Sequence, residues 1–208
     1  MYYPDKCIGC GLCHEGCFSG ARVICGKEMT VEEVMKQVLL DKDYYGEEGG
    51  VTISGGEPLA QREFLSALLA ACKVEGIHTA IETSLIYYDE DIFSKVDLVM
   101  ADLKIWNDEV HKQYTSVSNE KIKEHFIRLN QLGVPIIART PVIPEISQGI
   151  DYISEFLEQL ENVKQYELLP YHPLGGAKRQ ALGLEVDGFS IPSADYMKEL
   201  EQYVFIRK

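Results

Sequence analysis

The chain has 208 residues, 46% of them hydrophobic and 25% charged, which is the composition of an ordinary globular protein rather than a disordered, fibrous or membrane one. Its 20 Lys and Arg stand against 33 Asp and Glu, a net charge of −13. That argues against a nucleic-acid groove, because phosphate binding relies on clustered cations, and favours protein or small-molecule partners. No apolar stretch approaches the roughly 20 residues of a membrane helix, and the opening Met1-Tyr2-Tyr3-Pro4-Asp5-Lys6 lacks the order of a signal peptide. A cytoplasmic protein with neither membrane nor nucleic-acid partners is expected.

The first feature along the chain is chemical. Four of the six cysteines fall between Cys7 and Cys17, and in a reducing compartment such crowding points to metal. Cys7-x-x-Cys10-x-x-Cys13-x-x-x-Cys17 has the spacing of a bacterial ferredoxin run, whose thiolates surround an iron–sulfur cube. A structural zinc knot would instead pair two Cys-x-x-Cys units across a longer loop. Gly9, Gly11 and Gly16 suit a backbone that turns closely around a cofactor. The run is incomplete, however: no second run exists to exchange a ligand with, and Phe18 stands where proline is usual. Cys25 is either a fourth ligand or, more often for an isolated cysteine after Val23-Ile24, buried packing. Cys72 belongs to the core.

Beyond this segment, Thr30 and Glu33 form a capping box that opens a helix. Residues 51–54 read as a strand, and 62–73 as a helix with Leu65, Leu68, Leu69 and Cys72 on one face. Further strands are predicted at 77–82, 96–103, 134–139 and 166–169, and helices at 118–132, 151–160 and 192–203. Strands nearly continuous in Val, Ile and Leu, separated by helices, imply an α/β fold with a parallel sheet covered by helices. The count is five βα-type units, one fewer than a partial barrel that opens with its own first strand.

Polar residues follow the end of each strand. Gly55-Gly56-Glu57-Pro58 follows the first, Thr83-Ser84 the second, Asp102 and Lys104 the third, Arg139-Thr140 the fourth and Tyr171-His172 the fifth. In a parallel sheet or barrel these ends share one rim, where ligands bind. Glu57 beside exposed glycine amides suits an amino-acid-like ligand. Asp102 and Lys104 either serve that ligand or pair with each other. His14, His78, His111 and His125 receive no role.

Taken together, Val51-Thr52-Ile53-Ser54-Gly55-Gly56-Glu57-Pro58-Leu59, Asp102-Leu103-Lys104 with His111, Ser116-Val117-Ser118-Asn119, Arg139-Thr140-Pro141-Val142-Ile143-Pro144 and Leu168-Leu169-Pro170-Tyr171-His172-Pro173-Leu174-Gly175 resemble the glycyl-radical-enzyme activating enzymes, a group of radical S-adenosylmethionine proteins. The likeness runs through nearly the whole chain, in order. It implies a partial parallel β/α barrel of the radical SAM type and an oxidoreductase. In that family a reduced [4Fe-4S] cluster cleaves S-adenosylmethionine, and the resulting 5′-deoxyadenosyl radical abstracts hydrogen from a glycine of a partner enzyme. The resemblance gives Gly55, Gly56 and Glu57 the amino group of S-adenosylmethionine and places Asp102, Lys104 and His172, with Thr83 and Arg139, against the same cofactor. Cys7, Cys10, Cys13 and Cys17 resemble half of the ferredoxin-like insert that some members carry, and flavodoxin or ferredoxin is implied as electron donor.

One departure is large. The Cys-x-x-x-Cys-x-x-Cys run that leaves one iron open for S-adenosylmethionine in this family does not occur in the 208 residues. The expectation is a chain truncated at its N-terminus, with a partial cluster segment at 1–29 and a partial barrel lacking its first strand at 30–208. The strand at 51–54 would then be an edge with unpaired backbone groups. Such a chain is expected to be inactive alone. The alternatives are a non-catalytic S-adenosylmethionine-binding remnant and a small ferredoxin-like electron-transfer protein. Ser116, where a glycine is usual, and Glu145-Ile146-Ser147 depart from the family pattern on a smaller scale.

Overall fold

The computed structural model describes residues 6–47, 49–186 and 188–207. They fall into two compact units: the described residues of 1–30 and 172–188 form one, and those of 31–171 and 189–208 the other. In chain order the elements are α1 (Leu12–Glu15), α2 (Val31–Leu40), α3 (Lys42–Tyr45), β1 (Gly50–Ile53), α4 (Arg62–Val74), β2 (His78–Thr83), α5 (Glu90–Phe93), β3 (Leu98–Asp102), α6 (Asp108–Thr115), α7 (Glu120–Leu132), β4 (Ile136–Val142), α8 (Ile150–Glu158), β5 (Val163–Pro170), α9 (Gly176–Ala181), α10 (Ala194–Leu200) and β6 (Phe205–Ile206).

The first unit contains α1 and α9. None of its described residues is buried. The second unit contains one six-stranded sheet in sequential order, parallel from β1 to β5, with β6 antiparallel against β5. Among the described residues β1 is one edge of that sheet, as the strand count implied. Gly50 is required where β1 meets β2, because a Cβ there would lie 2.0 Å from the His78 carbonyl oxygen.

The sheet has two unlike faces. Register places Ile81, Val99, Ala101, Ile136, Ala138 and Tyr166 on one face, and all are sealed into a single core with Leu65 and Leu69 of α4, Phe93 of α5, Phe126 and Leu129 of α7 and Leu157 of α8. The other face carries Glu82, Met100, Asp102, Arg139, Gln165 and Glu167, each half-buried. β4 therefore alternates strictly between buried and half-buried residues. The expected coverage of the sheet by helices holds for one face only. A side chain every second residue points to the open face, and it is there that Glu82, Asp102 and Arg139 interrupt the apolar pattern. The same alternation hid the start of β5, where Lys164 and Gln165 precede Tyr166.

A smaller core joins α2 to α4. Met35, Leu68, Cys72 and Ile77 are buried there, and the Cys72 thiol donates to Met35 Sδ at 3.7 Å. Cys72 is thus core, as expected, and burial raises its pKa. Cys25, expected to pack, is exposed beside the equally exposed Val23 and Ile24.

Candidate functional site

The site is built where the strands of the second unit end. After β1 the chain passes through Gly55 (φ +90°) and Gly56 (φ +57°), left-handed conformations that side-chain-bearing residues rarely adopt. No neighbour lies within 4 Å of a Cβ at either position, so the backbone angle, not space, demands glycine. This turn delivers Glu57 to the end of β2. Its Oε1 accepts from Thr83 Oγ1 at 2.8 Å and from the Leu59 amide at 3.4 Å. Its Oε2 accepts from the Ser84 amide at 3.0 Å and Ser84 Oγ at 2.6 Å. Four donors engage the carboxylate, which ties two strand-end loops together. Ser84, already placed at the rim by its position after a strand, pairs here with Glu57, a contact that no spacing in the sequence signals.

The next residue, Leu85, is fully buried at φ +58°. Its amide donates to Thr83 Oγ1 at 2.9 Å, and its carbonyl accepts from His125 Nδ1 at 2.8 Å. These contacts hold a backbone conformation that costs roughly 1–2 kcal/mol for a residue with a Cβ, and they fix Ser84 at the rim.

Arg139 links β2, β3 and β4. Its Nη2 donates to Glu82 Oε1 at 2.6 Å and to Asp102 Oδ1 at 2.9 Å, while Nε reaches the same Asp102 oxygen at 3.2 Å. Register sets the second contact, since Asp102 and Arg139 lie opposite each other. The Arg139 hydrogen bond, with help from Ser54, holds the Glu82 carboxyl below its ordinary range. Lys104 Nζ stands 3.7 Å from Asp102 Oδ2, a looser pair than the one Asp102 forms with Arg139. The rim thus carries three carboxylates, Glu57, Glu82 and Asp102, against two cations, Lys104 and Arg139; Glu167 sits opposite Arg139 as a further carboxylate. The surplus is negative. Glu82 was missed because it reads as an ordinary end of an apolar strand.

One wall comes from α6 and the turn into α7. Asp108 accepts from Lys112 Nζ at 2.6 Å, Ser118 Oγ at 2.7 Å and the Asn119 amide at 2.8 Å. Together these hold its carboxyl down to about 2. Asn119, fully buried, donates through Nδ2 to the carbonyls of Ile105 and Trp106 at 2.7 and 2.8 Å. Ser116, at φ +64°, closes α6 in the left-handed conformation, which explains why glycine suits that position. Between this wall and the strand ends lies a cavity of 160 Å³ bordered by Ser84, Ile86, Asp102, Lys104, His111 and Thr115, among others.

Of the residues singled out in the sequence, the second unit thus joins Glu57 to Thr83, and Arg139 to Asp102 with Lys104 beside it. His172 belongs to the first unit, exposed at the start of the Pro173–Gly175 turn. In that unit Cys7, Cys10, Cys13 and Cys25 are exposed and Cys17 half-buried. The Gly9 amide donates to Cys7 Sγ at 3.4 Å, and Cys17 Sγ lies 3.5 Å from Ser19 Oγ, a contact that lowers the Cys17 pKa. Among the described residues no three His, Cys, Asp or Glu side chains are gathered closely enough to hold a metal. As placed, the cysteine run does not form a cluster cage. No described helix is long and apolar enough to cross a membrane.

Open parallel sheet, strand-end glycine turn and acidic rim define a class of protein, and comparison with known sequences agrees: residues 6–160 match the Radical SAM superfamily. The chain belongs to the glycyl-radical-enzyme activating enzymes of that superfamily. It is 40% identical over 193 residues to the pyruvate formate-lyase 1-activating enzyme of Escherichia coli (strain K12), covering 86% of this chain and 78% of that protein. It is also 40% identical over 188 residues to the (2S)-3-sulfopropanediol dehydratase activating enzyme of Klebsiella oxytoca, covering 86% of this chain but 59% of that relative's length. Among solved structures, a domain of a pyruvate-formate lyase-activating enzyme from Bacteroides vulgatus ATCC 8482 superposes with a TM-score of 0.62 at 30% identity, over 74% of this chain and 91% of that one.

Proposed function

We propose that the second unit binds S-adenosylmethionine at the strand-end rim and that the chain serves glycyl-radical formation on a partner enzyme. The observation that carries this reading is the rim itself, with Glu57 tied to Thr83 and Ser84, and Arg139 tied to Glu82 and Asp102. Its surplus of negative charge suits a sulfonium cation, and Lys104 offers a cation to the ligand's carboxylate. With the Glu57 carboxylate engaged by the protein, the amino group is received by the segment Gly55–Glu57 as a whole, whose position that carboxylate fixes. In this reading Thr83 and Arg139 hold the rim in shape and Asp102 and Lys104 face the ligand; His172 is proposed as a cofactor-binding residue on the family resemblance alone.

The reaction expected of the family needs a [4Fe-4S] cluster as well as S-adenosylmethionine, and these supply the radical chemistry when bound. For the cluster we propose Cys7, Cys10, Cys13 and Cys17 as ligands, on their spacing. They would be drawn together by the metal, because metal sites are seldom preformed without it. A glycyl-radical enzyme as protein substrate, and flavodoxin or ferredoxin as electron donor, belong to the same proposal, as do the segment boundary near residue 30 and a cytoplasmic location.

Calorimetric titration of the chain with S-adenosylmethionine tests the reading. Lys104→Ala and Asp102→Asn are each expected to weaken binding about tenfold, the loss of one charge-assisted hydrogen bond. Binding that is absent in the native chain, or unchanged in both variants, overturns the rim assignment.

A further inference from the structure

His111 is an unusual wall for a ligand cavity. It lies on α6 with 1% of its surface exposed, yet it borders the 160 Å³ cavity together with Asp102 and Lys104. Its Nδ1 lies 2.8 Å from the Val117 carbonyl oxygen and 2.9 Å from Thr115 Oγ1. A carbonyl oxygen only accepts, so Nδ1 carries the proton, and Nε2 of the neutral ring is left with a bare lone pair. Thr115 does not alter this assignment, because its hydroxyl is directed at the His111 carbonyl at 2.7 Å. Burial lowers the His111 pKa, and Lys104 and Lys123 act in the same direction, opposed by the Val117 carbonyl and by Asp108.

Nε2 has no hydrogen-bond partner among the described residues, and it is not sealed away either. Among the described residues the buried side-chain nitrogen or oxygen without a hydrogen bond is Asn119 Oδ1. The small exposure His111 retains is therefore compatible with an acceptor facing the cavity. Asp102 also lines the cavity as an acceptor, with Oδ1 receiving Arg139 and Oδ2 standing 3.7 Å from Lys104 Nζ, whereas the remaining polar groups there, His111 apart, are donors. The Ser84 hydroxyl donates to Glu57, and Lys104 can only donate.

We propose that His111 is a ligand-binding residue of this site, accepting through Nε2 a hydrogen bond from the nucleoside half of S-adenosylmethionine. The assignment rests on the function proposed above. There the amino group is held at Gly55–Glu57, and the donors remaining on the ligand are the ribose hydroxyls and the adenine amino group. Ile86, Val117 and Ile122 give the cavity an apolar lining suited to that half.

The test separates a ligand contact from a merely structural histidine. His111→Asn keeps a side-chain N–H where Nδ1 donates to Val117 and removes the acceptor at Nε2. In calorimetric titrations it is expected to weaken S-adenosylmethionine and 5′-methylthioadenosine about tenfold each while leaving methionine unchanged. Equal binding of all three ligands by variant and native chain would overturn the assignment and leave the rim reading standing. A native chain that binds none of them overturns both. Should the variant not fold, ¹⁵N spectra of the native imidazole decide the matter. The expected result is protonated Nδ1, bare Nε2 and an Nε2 shift on adding 5′-methylthioadenosine; a protonated Nε2, or no shift in a chain that binds the nucleoside, refutes it.

Discussion

The two units of this protein are held by different means. The second has a sealed core of 22 residues, and its rim side chains are fixed by hydrogen bonds to one another. The first has no buried described residue, and large apolar side chains such as Phe18 and Ile8 stand almost wholly exposed. Apolar burial supplies the order in one case and is missing in the other. A segment that cannot bury apolar surface needs a metal, a disulfide or a partner to fix it, and this one is rich in thiols. The strand-end rim is thus held in place by the protein itself, whereas the described cysteine run is not.

This contrast can be broken at several points. The largest effect is expected for Phe126→Ala, which empties the main core and should lower stability by about 3–5 kcal/mol in urea unfolding. Phe18→Ala should change it by less than about 0.5 kcal/mol. Comparable losses from both would mean that the first unit has a core of its own. Arg139→Ala comes next. It strands Glu82 and Asp102 beside each other, and a cost of about 1–3 kcal/mol at neutral pH is expected. Because Arg139 depresses the Glu82 pKa, the stability it confers is present above the ordinary carboxylate range and lost as pH falls below it. The gap between native and variant should therefore narrow below about pH 4.5; a gap independent of pH would remove electrostatics from the explanation.

A gain is expected from Ser116→Gly, of up to about 1 kcal/mol in thermal unfolding, since glycine adopts the left-handed conformation without a Cβ penalty. A loss would show that the serine side chain supports the wall of the cavity. The smallest effect concerns Asp108, whose carboxyl is exposed enough for solvent to screen it. Its folded pKa of about 2 lies below the reference 3.8, so its contribution is complete above 3.8 and fades as pH falls toward 2. Asp108→Asn should flatten the stability profile in that window and leave its shape above pH 5 intact.

Much of the second unit was legible in the sequence. The strand series could be read because its residues on the covered face are Ile, Val, Ala and Tyr at every second position, and the rim because Gly55-Gly56-Glu57, Asp102-x-Lys104 and Arg139 follow strand ends in the same sense. What escaped were Glu82 and the pairing of Ser84, because each role depends on a partner far along the chain. Glu82 acts through Arg139, 57 positions away, and Ser84 through Glu57, 27 positions away. Neither pair has a spacing to recognise. His111 was set aside because its helical pattern marks it equally well as core, and the protonation of its ring follows only from the carbonyl of Val117. The cysteine run had the opposite character. Its motif was the plainest in the chain, but a motif states which atoms can bind a metal and not that the backbone already holds them together.

Hydrogen exchange read by mass spectrometry, with and without S-adenosylmethionine, addresses the claim that the second unit carries a preformed cofactor site. The expected result is slower exchange confined to the strand-end segments around 55–59, 83–86 and 102–117, without any added iron. Protection that appears only in residues 6–30, or only after iron and sulfide are supplied, would contradict it and make the cysteine segment the seat of binding.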